Sequence, residues 1–237
     1  MITIRAADGK EFDTYLAGDA GVAKPAIILF SAIFGINDDM IHIAARWAER
    51  GYMVVVPDYF FRIHPGALDR SEAGRKAAHA RWHNLNAEQA VADMVALKEY
   101  LLASPFCNDT ILSLGYCAGG ELAFLATLQL GVEAIATFHG TYIERHLADA
   151  GKVKAHMTLH YGAEDHFTPL NQIERIRSAF ADNPRVDIHV HEGAEHGFSL
   201  EGRPYYHGIA ASRADRQAQE VFRRFQVASE HAGLSYS

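Results

Sequence analysis

Nine consecutive residues carry the most information in this sequence: Leu112-Ser113-Leu114-Gly115-Tyr116-Cys117-Ala118-Gly119-Gly120. An apolar run that suits a buried strand leads into a Gly-x-Cys-x-Gly pattern, and a helix-prone segment follows at residues 118–130. A residue at the apex of so sharp a strand-to-helix turn has a strained backbone, so the residues two before and two after it must be small. Gly115 and Gly119 satisfy this demand. The helix N-terminus would then lie beside the Cys117 thiol, where backbone N–H groups stabilise negative charge.

Strands and helices alternate on both sides of this turn. Buried strands are predicted at residues 26–31, 53–57, 110–115, 133–138, 156–161 and 186–191. Helices are predicted at residues 38–50, 86–102, 118–130, 170–181 and 207–227. An antiparallel hairpin of residues 2–5 and 12–17 opens the chain. This alternation predicts an α/β fold in which about eight strands form a mostly parallel sheet with helices on both faces.

The chain is interpreted as one domain spanning residues 1–237, because no internal repeat or long linker divides it. Residues 58–84 interrupt the alternation with a polar stretch that contains Pro65-Gly66 and a helix-prone segment at residues 71–82. Such excursions over one end of a sheet often build substrate pockets. We therefore expect residues 58–84 to form part of a pocket.

Composition and charge exclude several classes of function. Hydrophobic residues make up 49% of the chain and charged residues 22%, which is typical of a globular protein rather than a disordered one. The net charge of −7 leaves no basic surface for nucleic acid or for anionic membranes. The first residues resemble neither a signal peptide nor a membrane span, so we expect a cytoplasmic protein. Because no apolar stripe stands out, we also expect a monomer.

Neither the cysteines nor the histidines have the spacing of a metal site. The chain has 2 cysteines, too few for a disulfide scaffold, and 14 scattered histidines. His189 and His191 share one face of a predicted strand and are interpreted as ordinary strand residues. Cys107 has no helix N-terminus or base beside it and is interpreted as structural. We expect no metal and no cofactor.

Two polar residues complete a catalytic pattern with Cys117. Asp165 and His196 each follow a predicted strand, and the carboxyl ends of parallel strands are where such sheets place their sites. Nucleophile, acid and histidine also occur in the chain order used by folds with this kind of turn. Taken alone, Asp165 would be a helix cap and His196 a loop residue. Glu164 and Glu195 are the competing carboxylates and are interpreted as solvated.

At these positions the chain resembles the dienelactone hydrolase family, over nearly its whole length. The matching segments are residues 33–37, 51–52, 57–58, 115–120, 162–167 and 196–198. The resemblance implies that Cys117 is the nucleophile, that His196 is the general base and that Asp165 orients His196. It also implies an oxyanion hole formed by the backbone N–H groups of Ile33 and Ala118.

The resemblance further implies a set of substrate contacts, at Phe34, Arg75, Trp82, Tyr116 and Leu200. Two positions depart from the family pattern. Ala32 stands where the family has a glutamate beside the resting thiol, and Leu200 stands where it has an arginine that binds the substrate carboxylate. Arg203 is the nearest substitute for that arginine. The assignment to a dienelactone substrate therefore depends on Arg75.

These patterns predict a cysteine-dependent hydrolase of a small ester or lactone, with a carboxylate-bearing substrate as one option. Two alternatives stay open. The absence of a glutamate at Ala32 is compatible with a catalytically quiet ligand-binding or thiol-sensing protein. A thioesterase or acyl transferase is the other alternative, because an acyl-cysteine can pass its group to water or to another acceptor.

Overall fold

A single eight-stranded sheet organises the computed structural model, which describes residues 1–226. The strands are β1 (Ile2–Arg5), β2 (Glu11–Ala17), β3 (Lys24–Phe30), β4 (Met53–Pro57), β5 (Cys107–Tyr116), β6 (Ala134–Phe138), β7 (His156–Gly162) and β8 (Val186–His191). Their order in the sheet is β1-β2-β4-β3-β5-β6-β7-β8. The first two strands pair antiparallel, and β3 to β8 are mutually parallel. The prediction of a mostly parallel α/β sheet is confirmed.

Seven α-helices connect the strands in the described part of the chain. They are α1 (Asp38–Glu49), α2 (Glu72–His83), α3 (Ala87–Asp93), α4 (Val95–Leu102), α5 (Gly119–Gln129), α6 (Leu170–Ala179) and α7 (Gly208–Gln226). Asn37, Ser71 and Asn86 cap α1, α2 and α3, each accepting a hydrogen bond from a backbone N–H of the first turn. None of the helices within residues 1–226 is long and apolar enough to cross a bilayer.

The helical pattern differs from the prediction in two places. The predicted helix at residues 86–102 is broken at Met94, whose N–H donates to Val91 O in a tightened last turn of α3. Apolar spacing continues across this break, so periodicity could not reveal it. A 3₁₀ segment, Ile143–Lys152, was not predicted. The predicted last helix extends to Val227, which lies outside the described residues, as does the chain after it.

Two hydrophobic cores cover the two faces of the sheet, and consecutive residues of β3 contribute their side chains to one core and then the other. Ile28 and Phe30 belong to the core that contains α5, whereas Ile27 and Leu29 belong to the core that contains Trp47 of α1 and Phe222 of α7. Side chains alternate between faces along a strand, so a strand covered on both faces must be apolar throughout. This is why residues 26–30 form an unbroken apolar run.

The docking of α7 depends on Phe222, which is fully buried with its ring centroid 5.3 Å from that of Trp47. We expect Phe222→Ala to lower the free energy of unfolding by about 3–5 kcal/mol, because it leaves a cavity in the core. Urea denaturation followed by circular dichroism measures this change. The matched control is Arg223→Ala, one residue along on the exposed face, with an expected change within about 0.5 kcal/mol. Equal stability of the two variants would contradict this packing.

Candidate active site

Cys117 lies at the apex of the turn between β5 and α5, with a backbone φ of 54° in the left-handed region. Close packing leaves no room for side chains at the flanking glycines. A Cβ on Gly115 would lie 2.4 Å from the carbonyl oxygen of Gly119, and a Cβ on Gly119 would lie 2.2 Å from that of Phe30. Both distances are far below van der Waals contact. The spacing seen in the sequence is thus a steric requirement of the turn.

Asp165 and His196 meet beside this turn. Asp165 follows β7 and is buried, and its Oδ2 lies 2.8 Å from His196 Nδ1. Its other oxygen, Oδ1, accepts hydrogen bonds from the backbone N–H groups of Phe167 at 2.8 Å and Thr168 at 3.2 Å. Every oxygen of this carboxylate is therefore engaged. The hydrogen bond fixes the ring of His196 and places the proton on Nδ1, so that Nε2 is the nitrogen available for proton transfer.

The charge of His196 is set by opposing effects. Burial disfavours the imidazolium, but the nearby Cys117 and the hydrogen bond to Asp165 outweigh burial and raise the pKa of His196 to about 10. These two neighbours therefore favour the imidazolium form of His196. A thiol and a carboxylate on either side of one buried imidazole form an arrangement that can hold and pass a proton.

Ile33 and Ala118 line the same cavity as Cys117. Neither the N–H of Ile33 nor that of Ala118 has a hydrogen-bond acceptor among residues 1–226. The carbonyl of Ile33 is turned away and held by the guanidinium of the buried Arg81, at 2.9 Å from Nε and 2.7 Å from Nη2. Arg81 thus fixes the loop that carries the Ile33 N–H. Two free donors beside a thiol can stabilise an oxyanion.

A cavity of about 500 Å³ opens above Cys117. Its walls are mainly apolar and aromatic, with rings from Phe34, Trp82, Tyr142, Phe167 and Tyr205. Residues 58–84 supply one side of it through Arg70, Arg75, His79 and Trp82. The shape suits a small organic molecule that is largely apolar.

The substrate contacts expected from the sequence divide into two groups. Phe34, Arg75, Trp82 and Leu200 line the cavity. Tyr116 does not: its side chain is 1% exposed and belongs to the core on the opposite face of the sheet, stacked on Phe138 with centroids 4.7 Å apart. Tyr116 is the last residue of β5, and its ring packs in one core, whereas Cys117, in the turn that follows, packs against the core on the other face. Tyr116 is a core residue.

Three arginines line the cavity, and they differ in whether an acidic side chain pairs with them. Arg70 and Arg203 share the carboxylate of Asp39, at 2.9 Å and 2.6 Å. Arg70 also lies over the ring of Phe34, 4.3 Å from its centroid. Within residues 1–226, Arg75 forms no ion pair. The three guanidinium groups and the Asp39 carboxylate together carry a net positive charge, and the cavity wall also includes Glu195.

His139 was not anticipated from the sequence, yet it lies against His196. It follows β6, is fully buried and has a left-handed φ of 43°. Its ring centroid is 4.8 Å from that of His196, in an edge-to-face arrangement. Burial, the charge of His196 and that of Arg70 hold the pKa of His139 well below its usual range. His139 thus favours the neutral form, whereas its neighbour His196 favours the imidazolium. No short motif marks such a residue, because only the fold makes the two rings neighbours.

The other histidines form no metal site in the part of the chain that the structure describes. The rings of His189 and His191 stack on that of His160, with centroids 5.0 Å and 5.5 Å away. Burial lowers the pKa of all three. Stacked neutral rings do not converge on a common point, as metal ligands must. Cys107 is buried and, like Cys117, has a free thiol.

Comparison with known proteins gives consistent matches. The model of the dienelactone hydrolase family matches residues 12–226. A carboxymethylenebutenolidase of Pseudomonas putida is 32% identical over 218 residues, which is 91% of this chain and 92% of that protein. Another, from Pseudomonas sp. (strain P51), is 28% identical and covers 95% of each chain. A solved structure from Klebsiella pneumoniae has a TM-score of 0.82 at 21% identity, covering 94% of this chain and 99% of that one.

The raised pKa of His196 can be tested directly by NMR titration of its imidazole, assigned with a His196→Gln variant. We expect a pKa of about 10 in the wild type and a lower pKa in Cys117→Ala, because that change removes the largest influence opposing burial. Asp165→Asn should also lower it. A wild-type titration near the unperturbed value of about 6.5 would contradict this charge arrangement.

The raised pKa of His196 also makes the free energy of unfolding depend on pH. The pKa of His196 is higher in the folded than in the unfolded chain, so its contribution to the free energy of unfolding is complete below about pH 6.5 and is lost as the pH rises through about 10. The difference in stability between wild type and His196→Gln should decline across this range.

Proposed function

The chain belongs to the dienelactone hydrolase family of α/β-hydrolases, and we propose that it cleaves a small ester or lactone by attack of the Cys117 thiolate on the carbonyl carbon. It is a carboxylic ester hydrolase. One observation carries the proposed mechanism: the His196 imidazole, held 2.8 Å from Asp165, lies beside a thiol at the apex of a strained turn, and these two neighbours raise its pKa.

The first half of the reaction forms an acyl-cysteine. The sulfur of Cys117 bonds to the carbonyl carbon, and the electron pair of the C=O bond moves to oxygen. We assign the stabilisation of this oxyanion to the N–H groups of Ile33 and Ala118, two residues that line the cavity and whose N–H groups have no acceptor among residues 1–226. When the oxyanion collapses, the bond to the alkoxy group breaks and the imidazolium of His196 gives that group its proton. An alcohol leaves, or a lactone ring opens with its hydroxyl end still attached.

The second half releases the acid. His196, now neutral, accepts a proton from water, and the resulting hydroxide attacks the thioester carbon. The same two N–H groups stabilise the second oxyanion. Collapse breaks the carbon–sulfur bond and restores the pair of thiolate and imidazolium. Asp165 stabilises the positive charge of His196 wherever it appears in this cycle, through the 2.8 Å hydrogen bond.

The cavity favours an apolar substrate that also carries negative charge. Aromatic walls suit a planar or hydrophobic body, whereas Arg75 offers a cation without an acidic partner among the described residues. Leu200 contributes an apolar surface where a second arginine could have stood. Arg203 lines the same cavity but is paired with Asp39. We therefore propose one principal anion contact, at Arg75.

Loss of the proposed nucleophile or base should abolish turnover. We expect Cys117→Ala and His196→Ala each to lower kcat for a short-chain aryl ester by about 10³-fold or more, and the double variant to be little worse, because the residues act as a unit. Steady-state kinetics with 4-nitrophenyl acetate measures this. Cys107→Ala is the matched control, since it removes the other free thiol, and it should retain wild-type turnover.

The same assay separates the alternatives. A wild type without turnover would favour a ligand-binding or thiol-sensing protein. Turnover that continues in His196→Ala would refute the proposed base. Mass spectrometry of the wild type during turnover should detect an acyl group on Cys117, and transfer of that group to an added thiol or alcohol rather than to water would indicate an acyl transferase.

Arg75→Ala should weaken binding of anionic substrates selectively. Arg75 is exposed, so its contact contributes about 0.2–1 kcal/mol, which corresponds to a rise in KM of up to about fivefold. The measurement compares an aryl ester that carries a carboxylate with a neutral ester of equal length, at low and high salt. The effect should shrink with salt. Lys76→Ala, on the same helix but outside the cavity, is the control. Equal changes for charged and neutral esters would remove Arg75 from the anion site.

A further inference from the structure

Tyr142 has an unusual backbone for its residue type. Its φ of 68° and ψ of 4° lie in the left-handed region, which is unfavourable for a side chain with a Cβ. The residue stands in the segment between β6 and β7, just before the 3₁₀ segment. Strained backbones persist only where the surrounding structure holds them, and they cluster at functional sites. The contacts of the Tyr142 ring show what holds it.

Both faces of the Tyr142 ring are covered. The guanidinium of Arg145 lies 3.8 Å from the ring centroid, which fills one face. The indole of Trp82 stacks with a centroid distance of 5.4 Å and an interplanar angle of 18°. Because a guanidinium this close leaves no space beside it, the indole must occupy the other face. Stacking against two planar groups restricts the rotation of the Tyr142 ring.

The clamp is anchored to the same helix that begins at the Cys117 turn. Glu121, in the first turn of α5, is 3% exposed, and its Oε1 accepts a hydrogen bond from His146 Nε2 at 2.8 Å. The same oxygen lies 3.9 Å from Nη1 of Arg145. A buried carboxylate therefore ties the start of the 3₁₀ segment to α5. These contacts connect the segment that follows Tyr142 to the helix that begins beside Cys117.

Tyr142, Trp82 and Cys117 all line the cavity. We propose that Tyr142 is a specificity-determining residue, a rigid wall that limits the size of the ester substituent lying beside Cys117. This inference rests on the proposed ester hydrolysis and adds the substrate class: esters with a short or flat substituent on this side. A wall that cannot move excludes longer groups by steric clash, whereas a loosely held ring would swing aside.

The test compares Tyr142→Gly with Tyr142→Phe. Glycine accepts the left-handed backbone without strain and removes the wall, whereas phenylalanine keeps the ring and its two stacking partners. kcat/KM is measured for 4-nitrophenyl esters with acyl chains of increasing length and for the acetates of phenol and 1-naphthol. The two series distinguish the acyl side from the alkoxy side. Thermal unfolding followed by circular dichroism verifies that each variant folds.

We expect Tyr142→Gly to raise the preference for the bulkier ester, in one of the two series, by about tenfold or more, since fit to an apolar wall discriminates on this scale. Tyr142→Phe should keep the wild-type preference. Arg145→Ala, which frees one face of the ring, should give a smaller shift in the same direction. Unchanged preferences in Tyr142→Gly, or an equal shift in Tyr142→Phe, would overturn the inference. Absence of wild-type turnover would overturn the proposed function as well, so the two failures are distinguishable.

Discussion

The close approach of the backbone around Cys117 is the constraint on which the rest of this structure depends. Without a side chain at Gly119, α5 can pack against the carbonyl of Phe30 at the end of β3, and Cys117 is forced into a left-handed turn at the end of β5. The end of the central strand β5, the N-terminus of α5 and the Cys117 thiol thus lie next to one another. Because β3, β5, β6 and β7 are parallel neighbours, the residues that follow them converge on that point. The geometry of the site is a consequence of sheet topology as much as of the residues in it.

Burial and neighbouring groups together determine the pKa values of the two histidines near the Cys117 thiol. Asp165 is buried with both oxygens hydrogen-bonded, and the pKa of its neighbour His196 is raised although that ring is largely enclosed. His139 lies only one ring away, and its pKa is held well below the usual range, first by burial and then by the charges of His196 and Arg70. The imidazolium form is thereby favoured at the histidine beside the thiol. The low pKa of His139 and the high pKa of His196 are two results of one environment.

The residues of the cavity wall and the proposed catalytic residues lie on different kinds of structural element. Cys117, Asp165 and His196 sit at the ends of strands, which the two cores hold rigidly. The cavity walls come from connections: α2 supplies Trp82, and the segment before the 3₁₀ helix supplies Tyr142. Buried polar residues fasten these connections to the sheet, with Arg81 binding the carbonyl of Ile33 and Glu121 binding His146.

The sequence alone predicted the eight-stranded, mostly parallel α/β sheet, and it singled out Cys117, Asp165 and His196 as the residues to examine. Strand periodicity, glycine spacing and chain order are local or linear properties, so they can be read from one sequence. The tertiary structure decided the rest. In the folded chain Tyr116 lies in the core, and the ring of His139 packs against that of His196. Arg81 binds the carbonyl of Ile33. The ring of Tyr142 stacks with Trp82 and with Arg145. Each of these contacts joins side chains from separate elements, and no local pattern encodes a distance between elements that only packing brings together.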